Sequence, residues 1–576
     1  MPSTPDRPET PDLLPAVSTL RAEVATTRLP LELPGAQTGR VEQQELLHQL
    51  DDYVIPRLSS LDAPLLAVVG GSTGSGKSTI VNSLVGEAVT APGVLRPTTR
   101  SPVLVHHPDD ARWFGDERVL PGLARTSGPA ATFEAGTVVG RQSVQLVTST
   151  ALPPGLALID APDIDSVVDD NRELARQLLG AADLWLFVTT AARYADAVPW
   201  ELLRQASARG TAVAVLLNRV PESAISLVRE HLGSMLQEQG LGAAPIFSLA
   251  ESTLGPDGLL PPEQIGRLRS WLSALAKDAR ARAIVVRQTL TGALDSLTPR
   301  IDTLAAASAE QVDATDELRL AADEAYASAL AGVEHGMSDG SLLRGEVLAR
   351  WQEFVGTGEF FRQVESAVSK MRDRVVAAVK GGPPPSVPLD QALHSGVAEM
   401  VRAEGQGAAS ATSRAWRTLA GGVPLLQEHP ELTRVGSGFD TAVESLVHDW
   451  QGDVLDLVRG EGKDRRTTAK ITAYGVNAVG TVLMLVTFAY TGGITGAEVG
   501  IAGGTAVLGQ KLLEAIFGDQ AVRTMATRAQ EALLQRVEAA LDVERQRFLD
   551  VVDSVDLAPE QSARLVAAAA DVRAAR

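Results

Sequence analysis

The residues that most directly indicate chemistry are a glycine-rich run ending in lysine and serine, at positions 71–78. Glycines let consecutive backbone N–H groups turn inward around a di- or triphosphate, and the N-terminus of a following helix adds positive potential there. An apolar run precedes the loop and a helical pattern follows it, as a phosphate-binding loop requires. The alternative is a glycine-rich turn without a ligand. The predicted nucleotide contacts are Gly71, Ser72, Thr73, Gly74, Ser75, Gly76, Lys77, Ser78 and Thr79.

Residue types in and beyond this loop also predict a magnesium site. Lys77 is placed to reach the β- and γ-phosphates of a bound nucleotide, and the hydroxyl of Ser78 is placed to ligate Mg²⁺. Asp160 follows the apolar run 156–159, and a carboxylate in that position can hold Mg²⁺ through water beside a bound phosphate. Mg²⁺ is therefore the expected cofactor. The alternative is an aspartate that merely ends a strand.

The composition limits the classes of partner. A chain of 576 residues is too long for one core and predicts several domains. A net charge of −19 argues against broad, charge-driven binding of nucleic acid. The lack of cysteine excludes disulfides, thiolate zinc sites and a cysteine nucleophile. The proline-rich start has no secretory-signal pattern, so we expect a disordered tail and a cytoplasmic protein.

The pattern of apolar residues divides the chain into an α/β part and a helical part. Between residues 65 and 249, β-rich runs alternate with helical ones, which predicts βαβ units and a mostly parallel sheet with ligands at the carboxyl ends of its strands. From about residue 261, alanine, leucine and charged residues recur at helical spacing, which predicts a helical bundle. The predicted strands are 65–69, 102–106, 138–147, 156–159, 184–189, 212–217 and 245–248.

A long uncharged segment lies within the helical part. Glu498 is the only charged residue between positions 471 and 510, and a stretch of about 20 such residues has the length of a helix that spans a bilayer core. The segment 471–517 therefore predicts a membrane-contacting hairpin, and the alternative is a hairpin buried in the helical bundle. A basic cluster suited to anionic lipid headgroups precedes it, namely Lys463, Arg465, Arg466 and Lys470.

These features together resemble the dynamin-like large GTPases, in particular the bacterial members. The resemblance is carried by residues 71–78, by Arg96-Pro97-Thr98-Thr99, by Asp160-Ala161-Pro162 and by the long separation of Lys77 from Asp160. A helical region with an apolar tip is similar to the family only in architecture. The resemblance implies binding and hydrolysis of Mg²⁺–GTP, self-association or pairing with a related protein, and membrane remodelling.

The resemblance also implies roles for residues outside the loop. Thr98 and Thr99 lie about twenty residues after Lys77, where GTPases place a threonine that closes over Mg²⁺ and the γ-phosphate. Both threonines are candidates for this role, and Thr99 joins Ser78 and Asp160 as an expected metal ligand. The expected catalytic set is Lys77, Thr98, Thr99 and Asp160.

The chain departs from the family pattern at two points. The guanine-reading N-K-x-D pattern corresponds to residues 218–221, where Pro221 replaces the aspartate that accepts hydrogen bonds from guanine. Base contacts are therefore assigned to Asn218, Arg219 and Ser248. The D-x-P-G switch element has Asp163 in place of glycine. Since an acidic group near a γ-phosphate is repulsive, either Asp163 points away or this element works differently.

The prediction for the whole chain is an α/β P-loop GTPase domain with a mostly parallel sheet and flanking helices, followed by an elongated all-α bundle or stalk with an apolar hairpin tip. The expected partners are GTP and GDP, a second copy or a related dynamin-like protein, and anionic lipids at the inner face of the cell membrane, without nucleic acid. The alternatives are a P-loop ATPase and a nucleotide-gated scaffold with a buried hairpin and little turnover. The expected segments are 1–12 (tail), 13–61 (N-terminal helices packing on the stalk), 62–275 (GTPase domain), 276–470 (bundle or stalk), 471–517 (hairpin) and 518–576 (C-terminal helices returning to the bundle).

Overall fold

The chain divides into two compact units. The first comprises Met1–Leu29, Pro34–Glu310 and Ala558–Arg576, and the second comprises Pro30–Leu33 and Gln311–Leu557. The structure is a computed structural model, and it describes residues 12–90, 102–116, 118–120, 122–127, 143–165, 169–338, 386–461, 513–514 and 517–576.

The first unit is built on an eight-stranded sheet. Its strands are β1 (Leu65–Gly71), β2 (Val103–His106), β3 (Ala124–Ser127), β4 (Ser143–Thr148), β5 (Leu156–Asp160), β6 (Leu184–Thr190), β7 (Ala212–Val220) and β8 (Ile246–Ala250). They lie in the order β3-β4-β2-β5-β1-β6-β7-β8, and β2 and β5 are the one antiparallel pair in the described sheet. The prediction of a mostly parallel sheet is confirmed. Because β5, β1, β6 and β7 run in one direction, their carboxyl ends meet at one edge.

Helices cover both faces of this sheet. The run of β1 is buried throughout, and its alternate residues point to opposite faces. On one face, helix α4 (Lys77–Val85) packs against β1, and α9 (Pro262–Lys277) packs against α4 and β8. The opposite face is covered by α5 (Ala111–Phe114), α6 (Asp169–Gly180), α7 (Ala197–Ala208) and α8 (Ile225–Glu238).

The first unit also contains a separate helical cluster. Its helices are α1 (Leu13–Thr26), α2 (Ala36–Gln49), a π-helical turn (Leu50–Val54), α3 (Ile55–Ser59), the first part of α10 (Ala279–Ser338) and α15 (Gln561–Ala574). They share one apolar core. Buried amides join the helices across it: Gln49 donates to the Ala293 carbonyl at 3.0 Å, and Gln561 donates to the Arg28 carbonyl at 2.9 Å.

The second unit is helical in its described part. It contains the remainder of α10 with α11 (Ser386–Trp416), α12 (Gly422–Glu428), α13 (Phe439–Glu461) and α14 (Asp519–Asp553). Its core contains two buried tryptophans whose indole N–H groups are both satisfied. Trp416 donates to the Leu318 carbonyl at 3.0 Å, and Trp450 donates to the Ala529 carbonyl at 2.8 Å. The predicted helical region after the α/β domain is confirmed.

Several predicted segments lie outside the described residues. Of the predicted hairpin 471–517, only residues 513, 514 and 517 are described, and of the tail 1–12 only Asp12. The basic cluster before the hairpin is also outside. Among the helices that the structure does describe, none is both long enough and apolar enough to cross a membrane.

One acid in the helical cluster is buried in an unusual way. Asp52 lies in the π-helical turn with 7% of its surface exposed, and its carboxylate accepts a hydrogen bond from the Gln177 side-chain amide of α6 at 3.2 Å. Burial raises the pKa of Asp52 to about 6, although the Gln177 hydrogen bond and His48 act in the opposite direction. The ionised carboxylate is therefore unfavourable in the folded state.

The substitution Asp52→Asn tests this conclusion. Because the folded pKa is raised, the wild-type free energy of unfolding falls as pH rises from about 4 to 6 and stays lower above that range. We expect Asp52→Asn to be more stable than the wild type at pH 7.5, by up to about 3 kcal/mol, and to lose this advantage near pH 4. Urea denaturation at both pH values measures it, with exposed Asp62→Asn as the control. Equal pH dependence of Asp52→Asn and wild type would contradict the assignment.

Candidate nucleotide-binding site

The glycine-rich loop leaves the sheet at the carboxyl end of β1, between β5 and β6. Gly71, the last residue of β1, lies beside Val188 of β6, and a Cβ at this glycine would lie 2.0 Å from the Val188 carbonyl oxygen. Only glycine fits such a close approach. Helix α4 begins at Lys77, so its free N–H groups and positive dipole end adjoin the loop.

Asn218 fixes the other side of the loop. It is buried in the last part of β7, and its side-chain amide donates to the Ser75 carbonyl at 2.8 Å. Gly76 has φ +92°, and a Cβ there would lie 2.5 Å from the Asn218 amide nitrogen. The side-chain oxygen of Asn218 accepts the backbone N–H of Arg219 at 2.9 Å. Each polar atom of this predicted base contact thus makes one hydrogen bond within the chain, to the loop or to the neighbouring residue of β7.

Lys77 is buried beneath the loop and carries three hydrogen bonds. Its ammonium donates to the carbonyls of Gly71 and Ser72 at 3.0 and 3.1 Å, and to the carboxylate of Asp163 at 2.5 Å. The structure shows the carboxylate of Asp163 turned toward Lys77. Asp163 therefore provides negative charge at the lysine that is expected to contact phosphate.

Asp160 is the most deeply buried acid at this edge. It is 0% exposed, and one carboxylate oxygen, Oδ2, accepts hydrogen bonds from the hydroxyls of Ser78 and Thr90, both at 2.7 Å. Burial raises the pKa of Asp160, while the Ser78 and Thr90 hydroxyls and the Lys77 charge lower it. Its other oxygen, Oδ1, has no hydrogen-bond partner within the described chain. A buried, unsatisfied carboxylate oxygen beside a serine hydroxyl fits Mg²⁺, which prefers oxygen ligands and retains water.

A second carboxylate, that of Asp165, contacts the loop at Thr73. Asp165 accepts hydrogen bonds from both the backbone N–H and the hydroxyl of Thr73, each at 2.6 Å. Arg193, in the segment after β6, donates to the Thr73 carbonyl and to Asp165, each at 3.0 Å. Burial raises the pKa of Asp165, but the Thr73 hydrogen bonds and the Arg193 charge outweigh it, and the pKa lies below its ordinary value. Asp165 is therefore held in its ionised form.

The structure brings together the loop, Lys77, Ser78 and Asp160 from the predicted site. Thr98 and Thr99 lie outside the described residues, as do Arg96 and Arg100. The hydroxyls of Ser72, Ser75 and Ser248 are buried without a hydrogen-bond partner in the described part of the chain. The carbonyl of Thr79 accepts the hydroxyl of Ser83 at 2.6 Å within α4.

Three residues of this site were not predicted from the sequence: Thr90, Asp165 and Arg193. An acid at positions 160, 163 and 165 in succession is a local signal that could have indicated Asp165. Thr90 and Arg193 have no such signal, because their partners Asp160 and Thr73 are 70 and 120 residues away in sequence.

Comparison with known proteins identifies the α/β domain. Residues 66–220 match the model of the dynamin family. The matched segment extends from β1 to the end of β7 and includes the loop, Asp160 and Asn218. Residues 66–220 are a dynamin-family GTPase domain. The resemblance found in the sequence is confirmed for this domain, and the family that it matches is one of GTP-hydrolysing enzymes.

Solved structures provide further matches. Two chains come from an oligomerised bacterial dynamin pair, described as providing a mechanism for the long-range sensing and tethering of membranes. Each is 9% identical to this chain with a TM-score of 0.42; the alignments cover 99% and 95% of this chain and 96% of each neighbour. Era in complex with MgGDPNP and part of 16S ribosomal RNA is 17% identical over 36% of this chain and 56% of its own, with a TM-score of 0.23. No curated protein matches the chain.

The substitution Asp163→Asn tests whether this carboxylate competes with phosphate for Lys77. Without the negative charge, Lys77 is available to the nucleotide, so we expect the affinity for mant-GDP and for a non-hydrolysable mant-GTP analogue to rise about three- to tenfold. That range corresponds to about 1 kcal/mol, as for a partly exposed ion pair. Fluorescence titration measures it.

Asp109→Asn is the matched control for this prediction, since it changes net charge equally. Asp109 is 77% exposed. It lies three residues after His106, the last residue of β2, which pairs with Ala157 at the amino end of β5. This end of β5 is opposite the end that adjoins the loop. Unchanged or weaker nucleotide binding by Asp163→Asn would show that Asp163 does not compete with phosphate.

Proposed function

We propose that this dynamin-like GTPase binds Mg²⁺–GTP at the loop 71–78 and couples its hydrolysis to self-association and to contact with anionic membranes. The observation that best supports the nucleotide step is the convergence of Lys77, Ser78 and the buried Asp160 at the carboxyl edge of the sheet. Around them, carboxylates of the chain itself accept hydrogen bonds from Lys77 and Thr73. Bound phosphate would replace these carboxylates.

Each residue of the site then has a distinct task. Lys77 exchanges Asp163 for phosphate, and the N–H of Thr73 exchanges Asp165 for a phosphate oxygen. Ser78 and Asp160 would hold Mg²⁺, directly and through water respectively. Bound Mg²⁺ neutralises phosphate charge and orients the γ-phosphate. The displaced segment after β5 would carry the signal that nucleotide has bound.

The strand order supports a role for Thr98 or Thr99 near the metal. Val103, the first residue of β2, pairs with Asp160 at the end of β5. The chain before β2 therefore enters the sheet at the metal edge. Thr99 is four residues before Val103, a span of at most about 14 Å. Either threonine would thus be within reach of a metal held by Asp160.

Contacts within the first unit offer a route from the sheet to the helices. Asp183, just before β6, accepts hydrogen bonds from Arg57 in α3 and from the N–H of Leu66 in β1. Its carbonyl accepts the hydroxyl of Thr289 in α10 at 2.9 Å. Movement of β1 or β6 during the nucleotide cycle would therefore act on α3 and α10 directly, and we propose that this transmits the cycle to the helical region.

Competition between nucleotides tests the guanine part of the proposal. Base contacts are proposed for Asn218, Arg219 and Ser248, although Pro221 replaces the usual guanine-reading aspartate. We expect GTP and GDP to displace mant-GDP at concentrations at least about tenfold lower than ATP, a difference of about 1.4 kcal/mol. Preference for ATP would instead favour the P-loop ATPase alternative. Equal displacement by GTP and ATP would remove guanine specificity from the proposal.

Vesicle binding tests the membrane part of the proposal. The uncharged segment 471–510 and the preceding basic cluster predict that the full chain sediments with vesicles containing phosphatidylglycerol and much less with neutral phosphatidylcholine. Deletion of 471–510 should abolish sedimentation, and raised salt should weaken it. Sedimentation should also differ between GTP and no nucleotide, and Lys77→Ala should lose this difference because it cannot bind the phosphates.

Controls separate the two parts of this proposal. The deletion variant must retain GTP hydrolysis in solution, which shows that its GTPase domain is folded. Undiminished sedimentation of that variant would contradict a membrane role for residues 471–510. If wild type neither sediments nor turns over GTP usefully, the nucleotide-gated scaffold with a buried hairpin is favoured. Hydrolysis per molecule that is independent of protein concentration would count against coupling to self-association.

A further inference from the structure

We propose that Thr90 is a positioning residue for Mg²⁺ in this GTPase, acting through the carboxylate of Asp160. The inference rests on the proposed metal site. Thr90 holds one oxygen of Asp160, so that the other oxygen stays available to the hydration shell of the metal. Thr90 itself does not touch nucleotide or metal.

The hydrogen bonds to Asp160 are distributed unequally. Thr90 is 4% exposed and donates its hydroxyl to Oδ2 of Asp160 at 2.7 Å, and Ser78 donates to the same oxygen. Oδ1 is buried and has no partner in the described part of the chain. Two donors on one oxygen fix the orientation of the carboxylate and leave the second oxygen free to accept from metal-bound water.

Thr90 is itself fixed by a side chain of the loop helix. The side-chain oxygen of Asn82 accepts the backbone N–H groups of Val89 and Thr90, each at 2.9 Å. The side-chain amide of Asn82 donates to the Thr90 carbonyl at 2.8 Å. Asn82 is 2% exposed and lies on α4, whose first two residues are Lys77 and Ser78. Thus one helix presents Ser78 to the metal and, through Asn82 and Thr90, aligns Asp160 as well.

Thr90 would keep this role when the metal is bound. A serine hydroxyl that ligates Mg²⁺ does so through an oxygen lone pair and keeps its proton, so Ser78 could still donate to Asp160. Thr90 is the second donor to Oδ2 of a fully buried carboxylate, and it does not itself ligate the metal. Outer partners that orient a ligating carboxylate typically change metal affinity by about 10- to 100-fold when removed, whereas they leave metal-free nucleotide contacts unaltered.

The test compares Thr90→Val with Thr90→Ser in the full chain. Valine keeps the shape and removes the donor, while serine keeps the donor. We expect Thr90→Val to raise the Mg²⁺ concentration needed for half-maximal retention of mant-GDP by about 10- to 100-fold, with mant-GDP affinity in EDTA unchanged. Thr90→Ser should restore the wild-type Mg²⁺ requirement. Mn²⁺ in place of Mg²⁺ gives an independent reading of metal binding.

Two controls make the outcome decisive. Thr412→Val removes another buried hydroxyl, which donates to Ala408 in the second unit, and it should leave the Mg²⁺ requirement unchanged. Asp160→Asn should raise that requirement at least as much as Thr90→Val. Thermal denaturation in EDTA confirms folding, and Thr90→Ala replaces Thr90→Val if the valine variant does not fold.

Three results would overturn the inference. An unchanged Mg²⁺ requirement in Thr90→Val, with a raised one in Asp160→Asn, rejects Thr90 while keeping the metal site. An equal loss of mant-GDP affinity with and without Mg²⁺, or no rescue by serine, assigns Thr90 a structural role only. An unchanged requirement in Asp160→Asn rejects the proposed metal site and the role of Thr90 with it.

Discussion

The first unit depends on one buried carboxylate, that of Asp183, which joins strand β1 to helix α3. It pairs with the guanidinium of Arg57, and the two side chains are 1% and 7% exposed. It also accepts the N–H of Leu66, and its own N–H donates to the Leu66 carbonyl. The backbone carbonyl of Asp183 accepts a hydrogen bond from the hydroxyl of Thr289 in α10. Removing either charge would leave the other buried without compensation, at a cost of about 3–5 kcal/mol, so this pair fixes α3 and α10 against the strand that leads to the phosphate loop.

At the opposite end of the same strands, the paired carboxylates are more exposed than Asp183. Asp163 is 31% exposed and forms an ion pair with Lys77, and Asp165 is 16% exposed and forms an ion pair with Arg193. These carboxylates accept hydrogen bonds from Lys77 and from the N–H of Thr73, which are two donors of the proposed phosphate site. Under the proposed function, nucleotide binding exchanges one anion for another at Lys77, so the buried lysine is paired before and after the exchange. In that proposal the exchange would also release the segment after β5, which would link occupancy of the loop to the conformation of that segment.

The central strands were predictable because each is buried on both faces and reads as a continuous apolar run. This holds for β1, β5 and β6, whose residues are buried throughout. The edge strand β3 has the sequence Ala-Arg-Thr-Ser and was missed, since an edge position does not require apolar residues. The direction of β2 was also beyond prediction. Periodicity reports which residues are buried, whereas the antiparallel pairing of β2 with β5 depends on how distant segments assemble.

The sequence by itself determined the components of the proposed site: the glycine-rich loop, Lys77, Ser78 and Asp160. Their chemistry is local: glycines must adjoin the lysine and serine, and the aspartate must end an apolar strand. Only the tertiary structure decided that Asp163 turns toward Lys77, that Thr90 supports Asp160 and that Asn218 holds the loop. These contacts join residues 86, 70 and 143 positions apart. They follow from the order of strands in the sheet, which brings the ends of β1, β5 and β7 to one edge and which no short pattern of residues specifies.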